Sequence, residues 1–404
     1  MPHTVTNIEG FEIRDALAWN FTFGGGASGG IFTFTGAGLQ RSGLYTALQV
    51  NQGWNRLPVG FDALGTPYGG GVITFQACVA RVYFNIPFFA PGATTRIITF
   101  GRSIAAPTFV VTVEIDALRQ LSLNTFKSGT PTTLNVGQWY RLELRSDQTS
   151  LLGELLIDGV TEFTLISPGI GSSDFLQLGD ERAGANIIAT YDDVLIESHR
   201  TNGSQVDYPG AGNVQRLLPT SVGTDNAWFG VPDNVNKHLN VDEDLPNDAD
   251  YVESVNISDQ TFGLTNLGAL VNPVVPGTDI VRAVRVANRI RNQAGNPQWR
   301  MARIRSGATV AETGATPVPA SGVAATRTGS VWQNDPDTGA PWLNAAVDAL
   351  EAGIGQDNVG PVAECTLHET VVEHGVPFQV GRPRVNPEVL GGPVTMVNPP
   401  ELGG

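Results

Sequence analysis

The sequence predicts an all-β protein, and three observations carry that expectation. Glycine supplies 48 of the 404 residues and proline 26, the composition of a chain with many tight turns. Apolar and small polar residues alternate with period two in segment after segment between residues 11 and 200. No helical period of useful length interrupts them there. Hydrophobic residues make up 41% and charged residues 16%, so a sizeable core is available and disorder throughout is excluded.

Phe21-Thr22-Phe23 and Ile31 to Thr35 read as strands joined by the glycine-rich stretch Gly24 to Gly30. Val72 to Phe84, Thr95 to Phe100 and Phe109 to Ile115 continue the pattern, each bounded by Gly or Pro. Asn135-Val136-Gly137 is a turn ahead of the alternating strand Trp139 to Leu144. Gly153 to Phe163 reads as a hairpin, because Asp158-Gly159 suits a corner that needs positive φ. Phe175 to Gly179 is a short strand and Tyr191 to Glu197 a closing one. This order of GxW strand, DGV hairpin, LxLG strand and DDVxI strand resembles the concanavalin A-like, laminin-G-type (LamG) jelly roll. The resemblance covers about residues 10–200 and implies a first domain over 1–203.

A second, smaller β-rich domain is expected over 204–356. Val281 to Val286 alternates cleanly, and a further strand is expected near 298–305. Pro341 to Gly353 predicts one helix near 341–352, with Pro341 in its first turn, Gly353 at its C-cap and Leu343, Ala346, Val347 and Leu350 on one face. Residues 357–404 hold Pro and Gly without lasting periodicity and predict an extended C-terminal arm. The segments Asp192 to Ile196, Tyr208-Pro209-Gly210, Arg216 to Thr220, Trp228, His238 to Ser254, the alternating Arg-rich strand and Trp332 to Ile354 resemble, in this order, a family of bacteriophage virion proteins. In that family a LamG-like jelly roll precedes this second module. The resemblance implies a tail-associated or capsid-decorating structural protein whose partners are other virion proteins and copies of itself.

Charge bounds the partners. The 24 basic and 39 acidic residues give −15, and a nucleic-acid binder needs a basic face, so no nucleic-acid partner is expected. Residues 281–330 nevertheless carry eight arginines and one acid, while 201–280 carry two bases and eleven acids. Such blocks pair with each other or with a neighbouring subunit. Arg303 and Arg305 share one face of an expected strand and are the candidate subunit-interface residues, answered either by the acidic loop near 242–253 or by a neighbour. Lys127 and Lys237 are the only lysines. The start of the chain has no basic and apolar leader, and no apolar run is long enough to span a bilayer. Synthesis in the host cytoplasm, residence in the virion and no membrane insertion are therefore expected. Cys78 and Cys365 read as two buried thiols or one long-range bridge.

Several motifs carry chemistry on paper. Glu114-Ile115-Asp116 opens the ExDxxE pattern of jelly-roll glycosidases, but Gln120 stands where the second catalytic acid belongs, and glutamine cannot protonate a leaving oxygen. Gly24 to Gly30 matches GxGxxG and GxSxG, yet a strand rather than a helix is expected to follow. His368 to His374 fits neither HExxH nor its inverse, since Val372 occupies the second histidine's place. Asp242, Asp244, Asp248 and Asp250 supply hard oxygen ligands that suit Ca2+, without the EF-hand spacing. Among Trp19, Trp54, Tyr68, Trp228 and Trp342, Trp54 is the candidate for stacking on a host-surface glycan. The expectation is a non-enzymatic virion component. The alternatives are a carbohydrate-binding receptor-recognition protein on the virion surface and, after it, a glycan hydrolase.

Overall fold

The computed structural model describes residues 5–9, 31–35, 46–50, 54–58, 76–87, 93–102, 108–127, 131–167, 169–182, 187–199, 208–243, 247–270, 272–274, 279–292, 298–313, 316–318, 326–357 and 362–375. The class is all-β, with one short α-helix among the described residues. Thirteen strands form the first sandwich: β1 (Val5–Glu9), β2 (Ile31–Thr35), β3 (Thr46–Val50), β4 (Trp54–Pro58), β5 (Ala77–Asn85), β6 (Thr95–Arg102), β7 (Thr108–Ile115), β8 (Leu121–Leu123), β9 (Trp139–Asp147), β10 (Leu152–Ile157), β11 (Val160–Ile166), β12 (Phe175–Gly179) and β13 (Ile188–His199). Sheet I runs β11-β10-β9-β5-β13-β3-β2, with β1 also on β13. Sheet II runs β4-β12-β6-β7-β8. The chain crosses repeatedly between the two sheets, which is the jelly-roll pattern. At the β10–β11 corner Asp158 and Gly159 take φ of 51° and 84°, as the Asp-Gly pair leads one to expect.

The core between sheets I and II takes alternate residues of each strand. Cys78, Ala80, Val82 and Phe84 of β5 meet Ile98 and Phe100 of β6, Val111 and Val113 of β7 and Leu176 and Leu178 of β12. The other face of β5 carries Val79, Arg81 and Tyr83, and these are buried too. What covers them is the second sandwich.

Its strands are β14 (Gly212–Leu217), β15 (Pro219–Asn226), β16 (Phe229–Val231), β17 (Tyr251–Ser254), β18 (Ser258–Leu264), β19 (Ile280–Asn292), β20 (Gln298–Ser306), β21 (Thr309–Glu312), β22 (Thr316–Val318), β23 (Thr326–Trp332), β24 (Glu351–Gln356) and β25 (Ala363–Gly375), with helix α1 (Asn344–Asp348) before β24. Sheet III runs β16-β17-β25-β19-β23, with β14 also on β25. Sheet IV runs β15-β18-β24-β20-β21, with β22 also on β20. Val284, Val286 and Val372 of sheet III pack on Ala302, Ile304 and Ala352 of sheet IV. Leu195 of β13 packs with Val214, Ala283 and Val371 of sheet III. Four sheets therefore stack in the order II, I, III, IV.

Two expectations differ from this architecture. The helix expected near 341–352 is five residues long, and its intended C-cap Gly353 sits in the middle of β24, paired to Thr261 and to Arg303. Sheet pairing on both sides outweighs the local helical pattern. A Cβ at 353 would fall on the Gln260 carbonyl oxygen, so glycine serves a close strand approach there rather than a cap. The arm expected from residue 357 is interrupted by β25, a strand in which all thirteen residues are buried. Residues 376–404 and the Gly24–Gly30 stretch lie outside the described residues.

Candidate functional site

Sheet II turns a polar row away from its core. Arg56, Gln177, Thr99 and Thr112 are cross-strand neighbours in that order. The Arg56 guanidinium lies 5.0 Å from the Phe175 ring centre and donates to Gln177 Oε1 at 2.8 Å. Glu114 belongs to the same face, because Val113 and Ile115 fill the core. Its carboxylate is 2.9 Å from Arg182 and 4.0 Å from Arg96. Asp116 does something different. It accepts hydrogen bonds from the backbone N–H groups of Leu118 and Gln120, both at 2.9 Å, and pairs with Lys127. Partial burial pushes its pKa up, but Lys127 and those N–H groups together hold it below the ordinary carboxylate value. Asp116 thus braces the turn between β7 and β8, where Arg119 adopts a φ of 63°. Gln120 forms an isolated bridge with Thr133. Glu114, Asp116 and Gln120 do not face one another as a pair of catalytic carboxyls must.

The histidine-rich motif is divided by its strand. On β25, His368 points toward sheet IV and packs on Phe262, with ring centres 5.5 Å apart, while Glu373 points toward sheet I. His368 Nδ1 is 2.7 Å from Asn288 Oδ1 and Nε2 is 2.9 Å from Thr370 Oγ1. Cys365 lies on the Asn288 side, 3.9 Å from the same Oδ1. Thiol, imidazole and amide are the residue types of a cysteine hydrolase, but here they are sealed in the core. Burial, with Arg216 nearby, drops the His368 pKa to about 3, so the ring is neutral at physiological pH. Cys78 and Cys365 are both buried free thiols, in different sandwich cores.

The acidic loop and the arginine strands meet within the chain. Asp248 pairs with Arg289 and, at 3.5 Å, with Arg291. Arg291 also pairs with Glu364. Arg216 donates to the backbone carbonyls of Asp242 and Glu243, each at 3.1 Å. Asp250 accepts from Asn247 at 2.8 Å. Asp244 lies outside the described residues. Among the described residues no three His, Cys, Asp or Glu side chains converge as metal ligands, and Asp248 serves arginines instead. Arg303 meets Asp225 at 3.1 Å, Asp259 at 2.8 Å and Glu312; Arg305 meets Asp225 at 2.8 Å and Glu351 at 3.9 Å. Ala302 and Ile304 point the other way, into the core. The carboxylates that answer this pair come from β15, β18, β21 and β24 of the same chain.

Trp54 opens β4 opposite Gly179, and its side chain lies outside the described residues, as do Trp19 and Tyr68. Trp228 and Trp342 are core residues, buried in the second sandwich, so they offer no stacking platform.

Sequence reasoning missed the site where the two sandwiches meet. Arg81 of β5 pairs with Glu373 of β25 at 2.6 Å, and Arg282 of β19 reaches the same carboxylate oxygen at 2.8 Å. Neither side chain of the Arg81–Glu373 pair is exposed. Arg81 also donates to the Asp193 carbonyl from Nε and Nη2, both at 3.2 Å, while Asp193 Oδ1 accepts from Val214 N–H at 2.6 Å. Gly210 N–H donates to Glu143 at 2.7 Å. A Cβ on Gly212 would overlap both Arg81 Nη1 and Glu373 Oε1, so the ion pair needs glycine beside it. The one local signal was an arginine inside the apolar run Ala77 to Phe84.

No family model and no curated protein matches the chain. Similar solved structures include domain 4 of AbnA, a GH43 extracellular arabinanase from Geobacillus stearothermophilus, in complex with arabinotriose. It is 15% identical with a TM-score of 0.33, over 49% of this chain and 94% of that one. The cellulose-induced protein Cip1 is 11% identical with a TM-score of 0.29, again over 49% and 94%. A Trypanosoma rangeli sialidase in complex with sialic acid is 15% identical with a TM-score of 0.29, over 39% of this chain. The chain spans 26% of that sialidase's length.

Proposed function

We propose that this protein is a structural component of a bacteriophage particle and acts through protein–protein contacts. The observation that carries the reading is the use made of its charged groups. Arginines and carboxylates that could serve chemistry or a small ligand are instead paired with each other, and the buried Arg81–Glu373–Arg282 cluster joins two sandwiches into one block. A block of this kind suits a building unit. The order of motifs from Asp192 to Ile354 supports the same assignment.

The test is to raise an antibody against the purified chain and probe phage particles of the source host by immunogold cryo-electron microscopy. Regular decoration of tail or capsid is the expected result. Particles without label, with the protein found only in the lysate, would overturn the proposal. A glycan array and a reducing-sugar assay on the same preparation distinguish the other readings. Binding without turnover would make the protein a receptor-recognition lectin, and turnover would make it a hydrolase.

A further inference from the structure

Lys237, one of only two lysines, is buried and lies in a 3-10 turn, Lys237–Asn240, behind β16. Its Nζ donates to Asn226 Oδ1 at 2.6 Å and to the Trp228 carbonyl. No carboxylate faces the ammonium among the described residues. Charge without a counter-charge is disfavoured in a desolvated place, and burial holds the amine's pKa below its ordinary value. Once deprotonated at alkaline pH, such an amine has a free lone pair and can act as a nucleophile. The atom bonded to its hydrogen-bond acceptor is the amide carbon of Asn226.

We propose that Lys237 and Asn226 form an intramolecular isopeptide bond. The Nζ lone pair attacks Cγ of Asn226, the new N–C bond forms, and the Cγ–Nδ2 bond breaks. Nδ2 leaves as ammonia, carrying the proton that Nζ gives up. No oxidant or cofactor enters the balance. Asn226 is exposed at the end of β15, which gives the ammonia an exit. The surroundings fix the lysine stem. Gly230 passes so close that a Cβ there would approach Lys237 Cγ to 2.9 Å, and Asn240 ties the turn to Asp233 through its amide at 2.7 Å. Trp228, buried and donating to the Ser258 carbonyl at 3.1 Å, holds the second acceptor in place. Holding amine and amide together in this way converts an intermolecular condensation into a local one. The product would staple the end of β15 to the turn that supports the edge strand β16.

Intact mass spectrometry and peptide mapping of the folded full-length chain, aged at mildly alkaline pH, test the idea. The expected product is lighter by one ammonia and yields a branched peptide joining the segments that contain residues 226 and 237. Chain kept unfolded in denaturant should yield no branched peptide. Lys237→Arg should abolish the loss, since a guanidinium does not attack the amide. Asn226→Ala, at an exposed position, should abolish it equally if the arginine variant folds poorly. Unmodified peptides from the aged native protein would overturn the proposal. So would an ammonia loss mapped to the residue-226 peptide that survives Lys237→Arg, because that loss marks a cyclic imide at Asn226 instead.

Discussion

A histidine held neutral inside a core makes stability depend on pH, and His368 sets the sign here. Its folded pKa of about 3 lies below its ordinary 6.5, so between these values the unfolded chain binds the extra proton. Its contribution is complete above about pH 6.5 and is lost as pH falls toward 3, on the order of 4 kcal/mol in all. Glu243 acts with the opposite slope. Burial first, then Asp242 and Asp250, push it from 4.5 up to about 7, so its contribution is lost as pH rises across that window. It is worth less, because solvent reaches the carboxyl. Urea melts from pH 4 to 8 should show the acid-side loss, and His368→Gln should flatten it. Glu243→Gln should flatten only the neutral side. An unchanged profile in His368→Gln would place the acid-sensitive group elsewhere. Glycine positions are as specific. Gly353→Ala drives a methyl into the Gln260 carbonyl and should cost about 1–3 kcal/mol, measured as a lower melting midpoint.

At the scale of elements, the legibility of the sequence follows what each strand touches. The β10–β11 hairpin was readable because its corner is local chemistry, and the alternation of β20 placed Arg303 and Arg305 on one face correctly. Their partners were not readable. Asp225, Asp259, Glu312 and Glu351 are scattered along the sequence and come together only when β15, β18, β21 and β24 align. Strand β25 was hidden for another reason: Glu364, His368, Glu369, Glu373 and His374 give it the composition of a surface arm, although each is buried. Buried polar groups with partners look like exposed ones until the partners are known. The α1 segment failed in the opposite way, since a fair helical pattern ran into residues that two neighbouring strands claim. Replacing Arg303 with Gln removes the cation from among three carboxylates and should cost about 2 kcal/mol of stability, read as a lower melting midpoint. Arg305→Gln, more exposed, should cost under ~1 kcal/mol. Normal melting with failed particle incorporation in either variant would shift these residues to an inter-subunit role.

At the scale of the whole molecule, sheets I and III share a buried contact, with Leu195 of one sandwich packed on Val214, Ala283 and Val371 of the other. Arg81→Met strands Glu373 with Arg282 alone, and Glu373→Gln leaves two arginines beside a neutral amide. Removing one member of such a buried set should cost about 3–5 kcal/mol. Calorimetry of the intact protein should show one cooperative transition, and residues 1–203 expressed alone should expose Leu195 and aggregate. Two separate transitions, or a soluble stable fragment, would show that the contact is dispensable. The strand order of sheet III also matters to a chain that is still being made. β25 is translated after every other strand of that sheet and yet is inserted among β14, β17 and β19. Until the ribosome has passed residue 375, those three strands wait with open edges. A stalled or truncated message would therefore release a sticky half-sheet rather than a shorter protein, and quality control of translation becomes part of how this molecule avoids clumping.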